Sequence, residues 1–175
     1  MSRYRYRVRF HPKALTDMVI ADGYARDREV GHFFLAEATY PPNFHVPRHA
    51  HENTSLYLVL GGSVGERKGN RVVEHPPGTV VFTPQDEPHS NYMSGADGKC
   101  FLIDIKRQWL ESVREPSLRL DQSAHFDGGL PVALVQRVHR EVCRPDSLIP
   151  MVSSGRAVST HLWLLGRGLY PPTAH

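Results

Sequence analysis

Three histidines in two short segments are the residues of this sequence whose types and spacing point most directly to chemistry. His49 and His51 stand two positions apart, shortly before the apolar, β-forming run at residues 56–60. Side chains two apart in an extended strand project to the same face, so both imidazoles point the same way. His89 follows another apolar strand and a proline-containing turn, within residues 78–89. We therefore expect the three imidazoles to converge inside a small β-barrel.

Three neutral imidazoles that face one cavity are competent ligands for one divalent ion (Zn, Ni, Mn or Fe), and they leave coordination positions open. Strand alternation sends Glu52 to the opposite face, so no neighbouring carboxylate completes the set. On the histidine face stand Asn53, Ser55 and Tyr57, which are candidate contacts for an organic ligand. Two interpretations remain open: a metal site at His49, His51 and His89, or a pocket that binds an organic ligand through hydrogen bonds alone.

Short strands joined by turns must position these histidines. Alternating or continuous apolar patterns, separated by Gly, Pro and Asn, predict strands at residues 18–20, 32–40, 56–60, 63–68, 71–75, 79–82, 90–93 and 100–105. The residues of the 32–40 segment suggest burial on more than one side. About eight strands in succession, with no helical stretch among them, predict a mainly β fold with an antiparallel sandwich or barrel.

The pattern becomes helical after residue 106. A short helix is expected at residues 108–115 and another at 157–165. Between them, apolar residues recur at intervals of four and predict an amphipathic helix: Leu130, Leu134, Val138 and Val142. We expect a barrel at residues 1–106, a helical extension for packing or dimerisation at 107–168, and a tail or linker at 169–175. The apolar stripe suits a dimer seam and packing against the same barrel equally well.

Composition limits the function classes. The 175 residues suit one domain with or without a small appendage, and a net charge of +3 is slight for a nucleic-acid binder. The alternating arginines at positions 3, 5, 7 and 9 fit either a charged edge strand or a basic arm that meets phosphate. No apolar run reaches the roughly 20 residues of a membrane span. The basic N-terminal residues lack an apolar segment and a cleavage site, so we expect no secretory signal. We expect a cytoplasmic protein in which Cys100 and Cys143 are free thiols.

From His49 to Asn91 the sequence resembles the cupin superfamily. In the first cupin motif His49, His51 and Gly62 match, while Asn43 and Ser55 stand where the motif has Gly and Glu. In the second motif Gly78, Pro84 and His89 match, while Asp86 and Met93 replace Gly and Asn. The resemblance implies a cupin-like antiparallel β-barrel (jelly roll), followed here by two or three C-terminal α-helices. It also implies His49, His51 and His89 as metal ligands, without the glutamate that supplies the fourth.

A narrower resemblance covers residues 35–142. The phrases YPPNFHVPRHAHE, LYLVLGGSV, PPGTVVFTPQDEPHS and CFLIDIKRQWLE are similar to the N-terminal sensor barrel of AraC-type transcription regulators. That resemblance implies a small-molecule effector, a homodimer formed through helices, and DNA contact through a helix-turn-helix domain that these residues do not include. The expected function is thus effector sensing, by a domain of a longer regulator or by a free-standing relative.

The alternative is a metal-dependent cupin enzyme, a dioxygenase, isomerase or lyase that acts on a small organic substrate. The missing glutamate argues against catalysis, as does the lack of an evident general acid or base beside the histidines. Asp86, Glu87 and Tyr57 are the nearest candidates for that role. We therefore name no catalytic residue.

Overall fold

The computed structural model describes residues 26–113 and 121–143. The strands are β1 Arg26–Val30, β2 Phe33–Tyr40, β3 His45–His49, β4 Thr54–Gly61, β5 Val64–Lys68, β6 Arg71–His75, β7 Val80–Thr83, β8 His89–Met93, β9 Gly98–Ile105 and β10 Ala124–Phe126, and the helices are α1 Arg107–Val113 and α2 Gly129–Cys143. The predicted arginine arm, the strand at 18–20, the helix at 157–165 and the tail at 169–175 lie outside the described residues.

Two antiparallel sheets enclose the barrel. The larger has the strand order β1-β2-β9-β4-β7-β10, and the smaller has the order β3-β8-β5-β6. This arrangement confirms the mainly β, cupin-like jelly roll with helices after it. The sequence did not predict β1, which occupies a charged segment, or β3 as a strand separate from β4. It also did not predict the three-residue β10, which follows α1 in the chain and pairs with β7.

The large sheet is apolar on both faces because it has two packing partners. Along β4, Leu56 and Leu58 pack toward the helices, while Tyr57 and Val59 belong to a separate cluster in the barrel interior. Strand alternation therefore sends successive side chains into two different cores. This explains the continuous apolar run at residues 56–60, and it confirms the expectation that β2 is buried on more than one side.

The predicted break at the end of β4 has a steric cause. The β4–β9 register shifts between Val59 and Gly61, and Gly62 then adopts a φ of 69°. A Cβ atom on Gly62 would lie 2.4 Å from the carbonyl oxygen of Asp97. Glycine is needed here both for the left-handed backbone and for the close approach of the β9 segment.

Helix α2 packs on the outer face of the large sheet. Leu134 and Val138 are 8% and 1% exposed and join Trp109 of α1 in that core, whereas Leu130 is 52% exposed. The apolar stripe therefore packs against its own barrel, and its central residues are not free to form a dimer seam. Within the described part of the chain, neither helix is long and apolar enough to cross a membrane.

This packing predicts different costs for two leucines on one helix. Leu134→Ala should lower the free energy of unfolding by about 2–4 kcal/mol, because it leaves a cavity in a packed core. Leu130→Ala should change it by less than about 0.5 kcal/mol, because the side chain is half exposed. Urea unfolding measures both values, and equal effects would contradict the described packing of α2.

Candidate functional site

The pairing of two strands places two of the predicted histidines side by side. His49 ends β3, His89 begins β8, and they are directly opposite each other in the antiparallel register. Each ring is oriented by a backbone carbonyl two residues earlier in the chain: Nδ1 of His49 lies 2.8 Å from the oxygen of Pro47, and Nδ1 of His89 lies 2.9 Å from that of Glu87. A carbonyl only accepts, so each Nδ1 carries the proton and each Nε2 keeps a free lone pair.

His51 joins the pair from the loop that follows β3. The Asp86 amide donates to the His51 carbonyl at 2.8 Å, which holds this loop against the turn before β8. The ring centroids are 4.8 Å apart for His49 and His51, 4.4 Å for His49 and His89, and 5.0 Å for His51 and His89. The structure thus brings together all three histidines that the sequence analysis selected.

The donor set suits a divalent ion. One ligand nitrogen from each ring lies within 4.8 Å of the others, and an ion bound at about 2.1 Å to three nitrogens needs separations of roughly 3.4 Å, so small ring movements suffice. Nδ1 of His51 is buried and has no hydrogen-bond partner. Such an unsatisfied buried nitrogen is costly in a purely structural cluster and is expected where a ligand completes the site.

Electrostatics keep two of these rings neutral. Burial, with repulsion from His89 and His49, lowers the pKa of His51 to about 3. Burial also lowers the pKa of His89, against the opposing effect of its bond to the Glu87 carbonyl. Neutral imidazoles are the form that binds metal, so no proton has to be displaced from these rings near neutral pH.

A cavity of about 50 Å³ extends from the three histidines into the barrel. Its walls are mainly apolar and include Phe34, Tyr40, Val46, Met93 and Leu102. Cys100 also lines it as a buried free thiol, and burial raises its pKa to about 12, so it is an inert wall residue. The space holds a few water-sized molecules.

The other predicted site residues separate into two groups. Ser55 and Tyr57 line the cavity, and the Tyr57 hydroxyl is buried without a hydrogen-bond partner. Asn53 is not among the lining residues; its Oδ1 accepts from the Arg107 amide at 3.4 Å. The expected regular alternation from His49 to Tyr57 fails because β3 ends at His49 and β4 begins only at Thr54.

Asp104 is a polar cavity residue that the sequence pattern did not single out within the predicted strand at 100–105. It lies on β9, two positions beyond Leu102, and is 4% exposed. Burial raises its pKa to about 7, although a hydrogen bond from Asn53 and the charge of Lys106 act against this. Strand alternation within CFLIDI was the available signal, because it places Cys100, Leu102 and Asp104 on one face.

Comparison with known proteins agrees with this description. Residues 30–113 match the family model of the AraC-like ligand binding domain. The solved AraC-like transcriptional activator CuxR superposes with a TM-score of 0.59 at 13% identity, over 85% of this chain and 57% of that one. The chain therefore spans little more than half of that activator. A search of the curated proteins finds no match.

Two further solved structures align over smaller parts of the barrel. A cupin superfamily protein from Desulfitobacterium hafniense DCB-2 aligns at 15% identity over 50% of this chain and 84% of that one, with a TM-score of 0.43. A predicted oxalate decarboxylase from Thermotoga maritima aligns at 28% identity over 42% of this chain and 65% of that one, with a TM-score of 0.39.

The two sheets and the three-histidine cluster define a cupin-type barrel. The family match then indicates its kind: residues 30–113 of this barrel are similar to the AraC-like ligand binding domain. Function within such a fold depends on the site itself, because cupin-type barrels support many chemistries.

The raised pKa of Asp104 predicts a pH-dependent cost. Since the folded protein keeps the proton up to about pH 7 while the unfolded chain loses it near its ordinary value of 3.8, this group lowers stability progressively between those values. The charged groups that act on it are Lys106 and Glu52. From pH 5 to pH 8 the stability of the wild type should fall relative to Asp104→Asn by about 2 kcal/mol.

Urea unfolding of both proteins at the two pH values measures this difference, and the titration of the histidines cancels in the comparison. Parallel pH profiles would show that Asp104 ionises normally in the folded protein.

Proposed function

We propose that this barrel binds a small-molecule effector for an AraC-type transcription regulator. The observation that carries the proposal is the mainly apolar cavity that ends at His49, His51 and His89, within a barrel whose residues 30–113 match the AraC-like ligand binding domain. Apolar walls with a few polar groups at one end are typical of small-molecule sites. Ser55 and Tyr57 are the proposed ligand contacts on β4. Asn53 lies outside the cavity lining and would act indirectly, through its hydrogen bond to the Asp104 carboxyl.

The effector should combine an apolar body with one polar group. The body would face Phe34, Val46 and Leu102, while the polar group would meet the histidine end of the cavity. Buried polar atoms are available there, including the unpaired Nδ1 of His51. A matched polar group on the effector would satisfy such atoms. A compound without that group would leave them unpaired and should bind more weakly, which gives the site its specificity.

We further propose that the three histidines hold one divalent ion. His49 and His89 would bind through Nε2, because each Nδ1 is already bonded to a carbonyl. When bound, such an ion supplies a Lewis-acidic position for an anionic or polar group of the effector. The chain's own residues orient the ligand rings, exclude bulk water and line the rest of the cavity.

Regulation itself requires partners. We propose a homodimer and a DNA-binding domain that these residues do not include, in a cytoplasmic regulator, as in the family. The division at residues 106 and 168 stays a prediction, with α1 and α2 assigned to the helical extension. Since Leu134 and Val138 are buried in their own barrel, a dimer contact on α2 would have to use other residues of that helix.

A metal-dependent enzyme is the second candidate function. The specific observation in its favour is Asp104, whose carboxyl lies in the same cavity with a pKa of about 7. A carboxyl of that acidity can exchange a proton near neutral pH, as a general acid or base must. Proton exchange by Asp104 does not require the glutamate of the cupin motif, which this sequence lacks.

The metal proposal predicts one Zn²⁺ or Ni²⁺ bound per chain in protein purified without a His-tag. His49→Ala should abolish this binding, because it removes one of three ligands. His45→Ala is the matched control: it changes a histidine on the same strand whose ring is exposed and stacks on Tyr92. Isothermal titration calorimetry and elemental analysis measure metal binding by both variants. Equal binding by the two variants would place the ion elsewhere.

The sensing proposal predicts binding without turnover. Short-chain and aromatic carboxylates, compared with the corresponding hydrocarbons and amines, should include members that raise the melting temperature of the metal-loaded protein, with the carboxylate the best of each set. The compound should then be recovered unchanged by liquid chromatography after prolonged incubation. Conversion that is lost in both His49→Ala and Asp104→Asn would instead favour the enzyme.

A further inference from the structure

A buried glutamate on β5 faces the same barrel interior as the histidines. Glu66 is 5% exposed and pairs in register with Asn91 of β8, which lines the cavity. Residues directly opposite in an antiparallel pair share a face, and diagonal neighbours lie within reach of long side chains. Glu66 is therefore a diagonal neighbour of His89, two residues before Asn91.

Glu66 is charged although it is buried. Burial by itself would raise the pKa of its carboxyl, but the nearby His75 ring and the ammonium of Lys68 outweigh this and lower the pKa. Lys68 Nζ lies 3.3 Å from Glu66 Oε2, and His75 Nε2 lies 3.5 Å from the same oxygen. The other oxygen, Oε1, is buried and has no hydrogen-bond partner.

A carboxylate kept ionised and half unsatisfied inside a barrel is costly unless it meets positive charge. Its charge lies near the histidine cluster, because Glu66 is diagonal to His89 in the β5–β8 register. Lys68, which also lies 3.2 Å from Glu87, follows the Arg67–Ser90 pair on β5 and brings a positive charge to the same end of β8 as His89. A cation bound between the three rings would thus be attracted by the Glu66 carboxylate and repelled by the Lys68 ammonium.

We propose that Glu66 is the charge-balancing carboxylate for a divalent ion at His49, His51 and His89. It would replace, from β5, the negative charge that the cupin motif places where this chain has Ser55. Glu66 is a positioning residue and not a ligand, since the set of ligand atoms that lie close together contains the three histidines alone among the described residues. The positive charge of Lys68 opposes the effect of Glu66 and weakens the binding of the ion. This inference rests on the proposed metal binding.

The two charges predict opposite effects on metal affinity. Glu66→Gln keeps the shape and removes the negative charge, so the Kd for Zn²⁺ should rise about tenfold or more. Lys68→Gln removes the repulsive charge, so the Kd should fall several-fold. Glu66→Asp should bind more tightly than Glu66→Gln, because it restores the charge. Glu74→Gln is the matched control, since Glu74 is exposed on the neighbouring strand of the same sheet and should bind within twofold of the wild type.

The measurement is competition for Zn²⁺ with a chromophoric chelator, on metal-free protein purified without a His-tag. Thermal melts of each metal-free variant show whether it is folded. If Glu66 and Lys68 contribute to stability alone, their variants should melt at lower temperatures. Their Kd values for Zn²⁺ should then not shift in opposite directions. An unchanged Kd in folded Glu66→Gln, or weaker binding in both Glu66→Gln and Lys68→Gln, would overturn the inference.

The wild-type measurement tests the proposed metal site separately. If the wild type binds neither Zn²⁺ nor Ni²⁺, the metal proposal fails and this inference fails with it. If the wild type binds the ion and only the charge variants behave differently from expectation, the metal site stands and the role of Glu66 is refuted. Should Glu66→Gln fail to fold, Lys68→Gln and Glu66→Asp decide the question, and a Kd in Lys68→Gln that equals or exceeds that of the wild type overturns the inference.

Discussion

The antiparallel pairing of β3 with β8 is the constraint on which the site depends. It sets His49 opposite His89, and a bulge between Val46 and His49 adjusts the register just before the pair forms. A shift of the β3–β8 register by one residue would turn one imidazole to the other face of the sheet, and the three histidines would no longer lie together. Both rings are then oriented by backbone carbonyls two residues earlier in the chain, so the local backbone selects the nitrogen that faces the site.

The large sheet provides the rigidity that such a site needs. Because α1 and α2 cover its outer face, its strands are buried on both sides, and one core lies between the sheet and the helices while another lies in the barrel. The outer core includes Phe33, Phe101 and Trp109, and it shares only Leu56 and Ile103 with the lining of the cavity. It can therefore hold β4 and β9 in place while the barrel interior carries polar groups.

Those polar groups are concentrated where they cost stability. His51 Nδ1, Tyr57 hydroxyl and Glu66 Oε1 are all buried without hydrogen-bond partners, and the Asp104 carboxyl is protonated more readily than in water because it is buried. Unsatisfied polar atoms of this kind are uncommon in structural cores. Local departures from good packing rules tend to occur at functional sites, and here His51, Tyr57 and Asp104 line one cavity.

The sequence by itself determined most strands, the helix that begins at Gly129 and the three histidines, because alternation, turn residues and helical periodicity are local properties. The tertiary structure decided what depends on pairing between distant segments. Asp104 and Glu66 face the barrel interior through the registers of β9 and β5, the short β10 exists only because β7 offers an edge, and Asn53 lies outside the cavity lining because the chain bends between β3 and β4. The apolar stripe of α2 suited two partners, and only the folded chain shows that its own barrel covers Leu134 and Val138.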